Sequence, residues 1–165
     1  MDKDKEFVKL IQENQAMIIK ITRVYADDLQ EQEDLYQEIV FQTWKSFEQF
    51  RNASKPSTWL YRVGMNTAIT NLSKRKKRIP TVTLTGLKIE YEDQDHSEKE
   101  VKIKELYWAI RKLDLIDRSI VFLYLEGKHH EEIAEIVGIS KSNVGTRMSR
   151  IKEKLKKIYN HSNEQ

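Results

Sequence analysis

The stretch from His130 to Lys157 constrains the fold more than any other part of the chain, because it sets one glycine between two amphipathic runs. From Glu131 it reads EEIAEIVGISKSNVGTRMSRIKEKLKK. In the first run Ile133, Ala134 and Val137 share one helical face. Gly138 stands where that helix must end in a left-handed residue, a conformation glycine adopts without steric cost. Ile139 is an apolar turn residue, and Ser140 can cap the next helix by accepting a backbone N–H bond. In the second run Val144, Met148, Ile151 and Leu155 recur at helical spacing and form one buried stripe. The opposite side carries Ser142, Asn143, Thr146, Ser149 and Arg150, flanked by Lys141 and Arg147.

Two short helices crossing at a small residue, here Ala134, form the pattern of a helix-turn-helix, whose second helix enters the DNA major groove N-terminus first. An ordinary helical hairpin with a solvated polar face has the same stripes. The turn glycine, the close crossing and the cationic outer face together favour DNA.

The rest of the chain fits an all-α protein. It is 165 residues long, 39% hydrophobic and 33% charged, with only five Gly and two Pro. That length holds one medium domain or two small ones. The absence of Cys excludes disulfides, thiolate metal sites and thiol catalysis. No apolar run reaches the length that spans a bilayer, and MDKDKEF at the N-terminus lacks the apolar centre of a secretory leader. The expectation is a cytoplasmic protein. Net charge is +3 but unevenly spread. Residues 1–50 hold 6 basic and 11 acidic residues, 51–80 hold 8 and none, 81–100 hold 2 and 6, and 101–165 hold 13 and 9. Two cationic segments separated by an acidic one suggest two contacts with a polyanion, and the acidic first third suits a protein surface better than DNA.

A first helix is expected from about Glu6 to Tyr25, after which Asp27 and Asp28 break the pattern and can cap a turn. A second runs from about Glu33 to Phe50. Its aromatics Tyr36, Phe41, Trp44, Phe47 and Phe50 do not fit one stripe, so some are expected at the surface. That helix reads equally as a core element or as a docking face built on Asp34, Gln37 and Glu38. After the loop Arg51–Lys55, Pro56 suits the first turn of a third helix, Ser57 to Leu72, which continues into the basic run Lys74–Arg78. Leu60, Val63, Gly64, Ala68 and Leu72 make its narrow inner stripe, and Gly64 and Ala68 imply a close neighbour. Trp59, Tyr61, Arg62, Asn66 and the basic run combine stacking surfaces, an amide and cations, as single-strand binding uses. The competing place for Trp59 is the core, and it is the favoured one. For the basic run phosphate contact is favoured, since no acid lies between Arg51 and Pro80. Ile79–Glu100 reads as a flexible tether; Asp93 and Asp95 do not complete a calcium loop. A second helical unit begins near Val101, with Ile103, Leu106, Ile110 and Leu113 as its stripe. Asp117 is expected to cap a helix over Arg118–Leu125. The pair His129 and His130 with Glu131 and Glu132 lacks metal-ligand spacing.

Two motifs in fixed order carry a family resemblance. DLYQEIVFQTW (Asp34–Trp44) resembles region 2.2 of bacterial sigma factors, and STWLYRVGMNTA (Ser57–Ala68) resembles region 2.3. The helix-turn-helix resembles region 4.2. Nearly the whole chain is similar to the extracytoplasmic-function (ECF) sigma factors of the sigma-70 family. The resemblance implies two small helical domains, region 2 at 1–78 and region 4 at 101–165, joined by a linker at 79–100.

By that resemblance, Asp34, Gln37, Glu38 and Trp44 would dock on the β′ clamp helices of core RNA polymerase, with the β flap as a further contact. Arg51, Asn52, Ser54, Lys55 and Asn66 would capture an unstacked non-template base of the −10 element. Arg62 and the run Lys74, Arg75, Lys76, Lys77 and Arg78 would hold its backbone. Lys141, Ser142, Asn143, Thr146, Arg147 and Arg150 would read the −35 element as duplex. An anti-sigma factor is an expected partner. No cofactor, metal, small-molecule substrate, membrane insertion or catalytic group is expected. Alone the chain should bind promoter DNA weakly, its two grips left unoriented by the tether. Gly145, Thr70 and Pro56 depart from common family residues. The competing readings are a dimeric helix-turn-helix regulator that never meets polymerase, and a nucleic-acid hydrolase using Asp93 and Asp95.

Overall fold

The computed structural model describes residues 2–50, 55–77 and 97–163, with the side chains of the fourth helix described through Lys74. Among the described residues there are eight helices and no strand. The first half holds α1 (Lys3–Glu13), α2 (Gln15–Tyr25), α3 (Leu29–Phe47) and α4 (Pro56–Lys77). The second holds α5 (Glu98–Ile110), α6 (Leu115–Leu125), α7 (His130–Val137) and α8 (Lys141–Asn163).

The expected first helix is two helices. Asn14 breaks it with φ −115° and ψ 14°, and its side-chain amide donates to the Leu10 carbonyl at 2.8 Å. An asparagine that bonds its own backbone offers the chain an alternative to the helical ladder. Asp28 caps α3 by accepting from Glu31 N at 2.8 Å, and Pro56 opens α4, where its missing N–H is no loss. In the second half Asp114, not Asp117, caps α6, accepting from Asp117 N at 2.9 Å. Ser97 caps α5, so helix begins at Glu98, inside the stretch expected to be tether. The rest of that stretch, and with it Asp93 and Asp95, lies outside the described residues.

Each half buries most of the stripe its periodicity set. Ile18, Ile21, Leu35, Ile39, Leu60, Met65 and Ala68 pack α2, α3 and α4 together. Gly64 lets α4 close on α2, since a Cβ there would lie 2.9 Å from Ile21 Cδ1. Ile120, Leu123, Ile133, Val144, Met148 and Ile151 pack α6, α7 and α8. Each such aliphatic side chain contributes about 1.5–3 kcal/mol relative to exposure. Leu106, expected in the α5 stripe, is instead 41% exposed.

The two halves are not left unoriented. Helix α2 packs on α5 and α6, α4 packs on α7, and the apolar residues of both halves belong to one core. Tyr61 is 5% exposed, its ring set edge-on to Phe122 with centroids 6.2 Å apart. A half of this size leaves apolar area uncovered on its own, and joining two halves buries it.

Candidate nucleic-acid interface

Helix α8 begins as the sequence predicts. Gly138 ends α7 with φ 83°, and the Ser140 hydroxyl accepts from Asn143 N at 3.0 Å. Val144, Met148 and Ile151 are buried, which turns Ser142, Asn143, Thr146, Ser149 and Arg150 outward, all exposed. Asn143, Thr146 and Arg150 lie at i, i+3 and i+7 and so share one face. Lys141 is exposed beside them and reaches back to Glu131 at 3.0 Å, which holds that carboxyl below its usual range. Gly145 is half-buried; a Cβ there would meet only His130 Nδ1 at 3.9 Å, so packing does not require a glycine.

Arg147 does not join the outer face. Its Nη1 lies 2.9 Å from Asp117 Oδ1, and Lys154 Nζ lies 3.6 Å from the other oxygen. Asp117 is 4% exposed, so α6 carries a buried carboxylate held by two cations spaced two turns apart on α8. The ion pair braces α8 from behind. The sequence signal was a single acid in the apolar run LIDRSIVFLYL opposite cations seven residues apart, and it reads equally as a cap.

On α3, Asp34, Gln37 and Phe41 are exposed and Glu38 is half-buried, at i, i+3, i+4 and i+7. Gln30 donates to Asp34 at 3.2 Å and Gln42 to Glu38 at 2.9 Å, which leaves both carboxylates on the surface with further lone pairs open. Phe41 is 54% exposed beside them, with Lys45 over its ring. Trp44 is 37% exposed and lies edge-on to Phe7 at 4.9 Å. The face is therefore acidic with an apolar centre.

On α4, Asn66 and Lys74 line a polar groove of about 260 Å³ with Glu38, Gln42, Thr67, Thr70 and Asn71. Lys55 is exposed at the helix entrance. Arg75, Lys76 and Lys77 continue the helix, while Arg51, Asn52, Ser54 and Arg78 lie outside the described residues. Two members of the expected single-strand surface are elsewhere. Tyr61 is core, and Arg62 Nη2 donates to the Glu135 carbonyl of α7 at 2.8 Å. A cation at the carbonyl end of a helix satisfies an orphan acceptor and the dipole together. Trp59 is half-buried, stacked on Phe50 with centroids 4.6 Å apart.

No group of three or more His, Cys, Asp or Glu among the described residues is placed to hold a metal, and no described helix is long and apolar enough to cross a membrane.

Comparisons with known proteins agree with this geometry. Residues 10–78 match the family described as Sigma-70 region 2, and 103–155 match Sigma-70, region 4. The chain is 31% identical over 132 residues to an ECF RNA polymerase sigma-E factor of Haemophilus influenzae, covering 73% of this chain and 70% of that one. It is 26% identical over 165 residues to an RNA polymerase sigma-H factor of Pseudomonas aeruginosa, covering 93% and 86%. Its fold is similar to the sigma factor RpoE of Bartonella quintana, solved with the anti-sigma factor NepR, at a TM-score of 0.74 and 19% identity over 94% of this chain and 98% of that one. It is likewise similar to CnrH, solved with the cytosolic domain of CnrY, at 0.69 and 17% over 96% and 90%. With both family regions matched in order and a sigma-E relative aligned across most of its length, this chain belongs to the ECF sigma factors of the sigma-70 family.

Proposed function

We propose that this chain directs core RNA polymerase to promoters by carrying two DNA grips and one polymerase-docking face. The acidic face of α3, through Asp34, Gln37, Glu38, Phe41 and Trp44, meets the β′ clamp helices, and region 4 meets the β flap. Helix α8 reads duplex −35 DNA through Ser142, Asn143, Thr146 and Arg150, with Lys141 on a phosphate. Lys55, Asn66, Lys74 and the cationic run that follows hold melted −10 DNA, where the cost of unstacking a base is recovered by its capture. The chain does no chemistry of its own; polymerisation belongs to its partner. It works in the cytoplasm. RpoE of Bartonella quintana and CnrH were each solved with a protein partner, and an anti-sigma factor of comparable kind is the expected partner here.

One observation supports this reading above the others. The α8 polar face and the α3 acidic face are exposed at once and carry opposite chemistry, one suited to phosphate and base edges and one to a basic protein surface. A regulator that acts without polymerase has no use for the second.

The test is transcription by core polymerase from a genomic DNA library with and without the chain. Discrete new start sites sharing two sequence elements are expected; none would refute the reading. Glu38→Lys should abolish co-elution with core polymerase while far-UV circular dichroism is unchanged. Undiminished co-elution would remove α3 from the docking role.

A further inference from the structure

Helices α2, α3, α5 and α8 leave a cavity of about 790 Å³ where the two halves meet. The first half supplies Arg23, Asp27 and Gln32, and the second supplies Lys104, Trp108 and Tyr159. None of these residues belongs to the α3 docking face, the α4 groove or the α8 polar face. Cavities of this size between packed units are where small molecules bind.

The cavity collects cations that the protein does not fully neutralise. Arg111 also lines it, with Nε 3.3 Å from Asp27 Oδ1 and Nη1 donating to the Arg23 carbonyl at 2.8 Å. That carboxylate partner is itself 86% exposed. Arg23 lies 4.3 Å over the Tyr107 ring and makes no ion pair among the described residues, and neither does the exposed Lys104. Burial, and then the charges of Arg118 and Arg23 against the help of Asp27, hold the Arg111 guanidinium below its ordinary range. Glu105 is the other acid on the wall, exposed and shared with a neighbouring groove. Three cations thus stand against two surface carboxylates, and a bound anion would relieve them.

The second feature is aromatic. Trp108 on α5 is 45% exposed and Tyr159 on α8 is 53% exposed. A lone exposed ring is ordinary, but two on the wall of a cation-lined cavity join stacking surface to positive charge, the combination that holds nucleotides. A nucleoside polyphosphate supplies both complements at once, a planar base for the rings and a multiply charged tail for the cations. An acidic peptide supplies only the charge.

We propose that this cavity binds a nucleoside polyphosphate, its base stacked on Trp108 or Tyr159 and its phosphates held by Arg23, Lys104 and Arg111. Because residues of both halves line it, the bound nucleotide stabilises the folded chain by tying α2 and α3 to α5 and α8. The site goes beyond the promoter-directing role and does not depend on it.

ATP and GTP are the probes, titrated without metal into the full chain by calorimetry, with thermal unfolding followed by circular dichroism. Saturable binding of one or both is expected, with a rise in the unfolding midpoint. Inorganic triphosphate and the free nucleosides should each bind at least about tenfold more weakly, since each lacks one part of the recognition. Trp108→Leu should weaken nucleotide binding about tenfold and leave that of triphosphate unchanged. Lys104→Glu and Arg23→Gln, one from each half, should each weaken both by about tenfold. Lys5→Glu makes the same charge change as Lys104→Glu at an exposed position of α1 outside the cavity, and should leave both unchanged. Trp108 and Lys104 are exposed, so those two variants decide the matter even where Arg23→Gln fails to fold. No saturable binding of either nucleotide at millimolar concentration would overturn the site. So would nucleotide binding that Trp108→Leu and Lys104→Glu leave intact, because it would lie elsewhere on the chain. Triphosphate or a hexaglutamate peptide binding as tightly as nucleotide would also overturn it, by assigning the cations to anions in general or to an acidic protein segment.

Discussion

Replacing Arg147 with alanine separates a helix brace from a DNA reader. Its Nη1 lies 2.9 Å from Asp117, which is 4% exposed, while the Arg147 side chain is 30% exposed. A hydrogen bond to a charged group contributes about 1.5–3 kcal/mol. Removing one partner of a fully buried pair costs roughly 3–5 kcal/mol. Here Lys154 remains 3.6 Å from the carboxylate, and partial exposure lets water reach the vacated side, so the lower range applies. The expected loss is about 2 kcal/mol, or a fall of ~1 M in the urea midpoint for an m-value near 2 kcal/mol/M. Lys154→Ala, which removes the longer and more exposed contact, should cost less than about 1 kcal/mol. Urea unfolding followed by circular dichroism measures these losses, and a double-mutant cycle with Asp117→Ala should return a coupling of about 1.5–2 kcal/mol. Binding to −35 duplex, measured where the variant is folded, should change little. Stability within ~0.5 kcal/mol of the parent together with lost duplex binding would refute the reasoning and return Arg147 to the DNA face.

Gly145 in α8 and Gly138 at the end of α7 should respond oppositely to alanine. Gly145→Ala should stabilise the chain by about 1 kcal/mol, because the helix gains and the site has room. If duplex affinity falls at the same time, DNA needs the bare backbone there; thermal unfolding and duplex titration decide it. Gly138→Ala should destabilise by about 1–2 kcal/mol, since φ 83° strains any side chain, and an unchanged melting temperature would contradict that. Burial, opposed by Ser119 and Arg118, pushes Tyr25 up to about 12 from its ordinary 10.0. The folded state therefore favours the neutral phenol, and this contribution, up to about 3 kcal/mol, is whole below the ordinary value and lost as pH rises to about 12. Stability should fall through that alkaline window, and Tyr25→Phe should flatten the fall. Tyrosinate absorbance and urea unfolding against pH measure both, and a fall of equal size in Tyr25→Phe would assign it to other groups.

Local rules made much of the chain legible. The helix-turn-helix could be read because its signals lie within a few residues of one another: Gly138 for the positive φ, Ser140 for the cap, and the Val144–Met148–Ile151 stripe. The Asp34–Trp44 and Ser57–Ala68 motifs carried the family. Local reading failed where a side chain chose between its own helix and another. Asn14 took its own backbone and cut a helix in two, and Asp117 was displaced as cap by Asp114. The sequence alone thus determined the helix-turn-helix, most of the buried stripes and most of the outer face of α8, because periodicity and capping are short-range physics. The tertiary structure alone decided that Arg147 answers to Asp117 across 30 residues, Arg62 to Glu135 across 73 and Lys20 to Glu126 across 106. A cation's pattern along a helix is the same whether it faces phosphate or a distant carboxylate, and only the packing of one half on the other fixes which it meets.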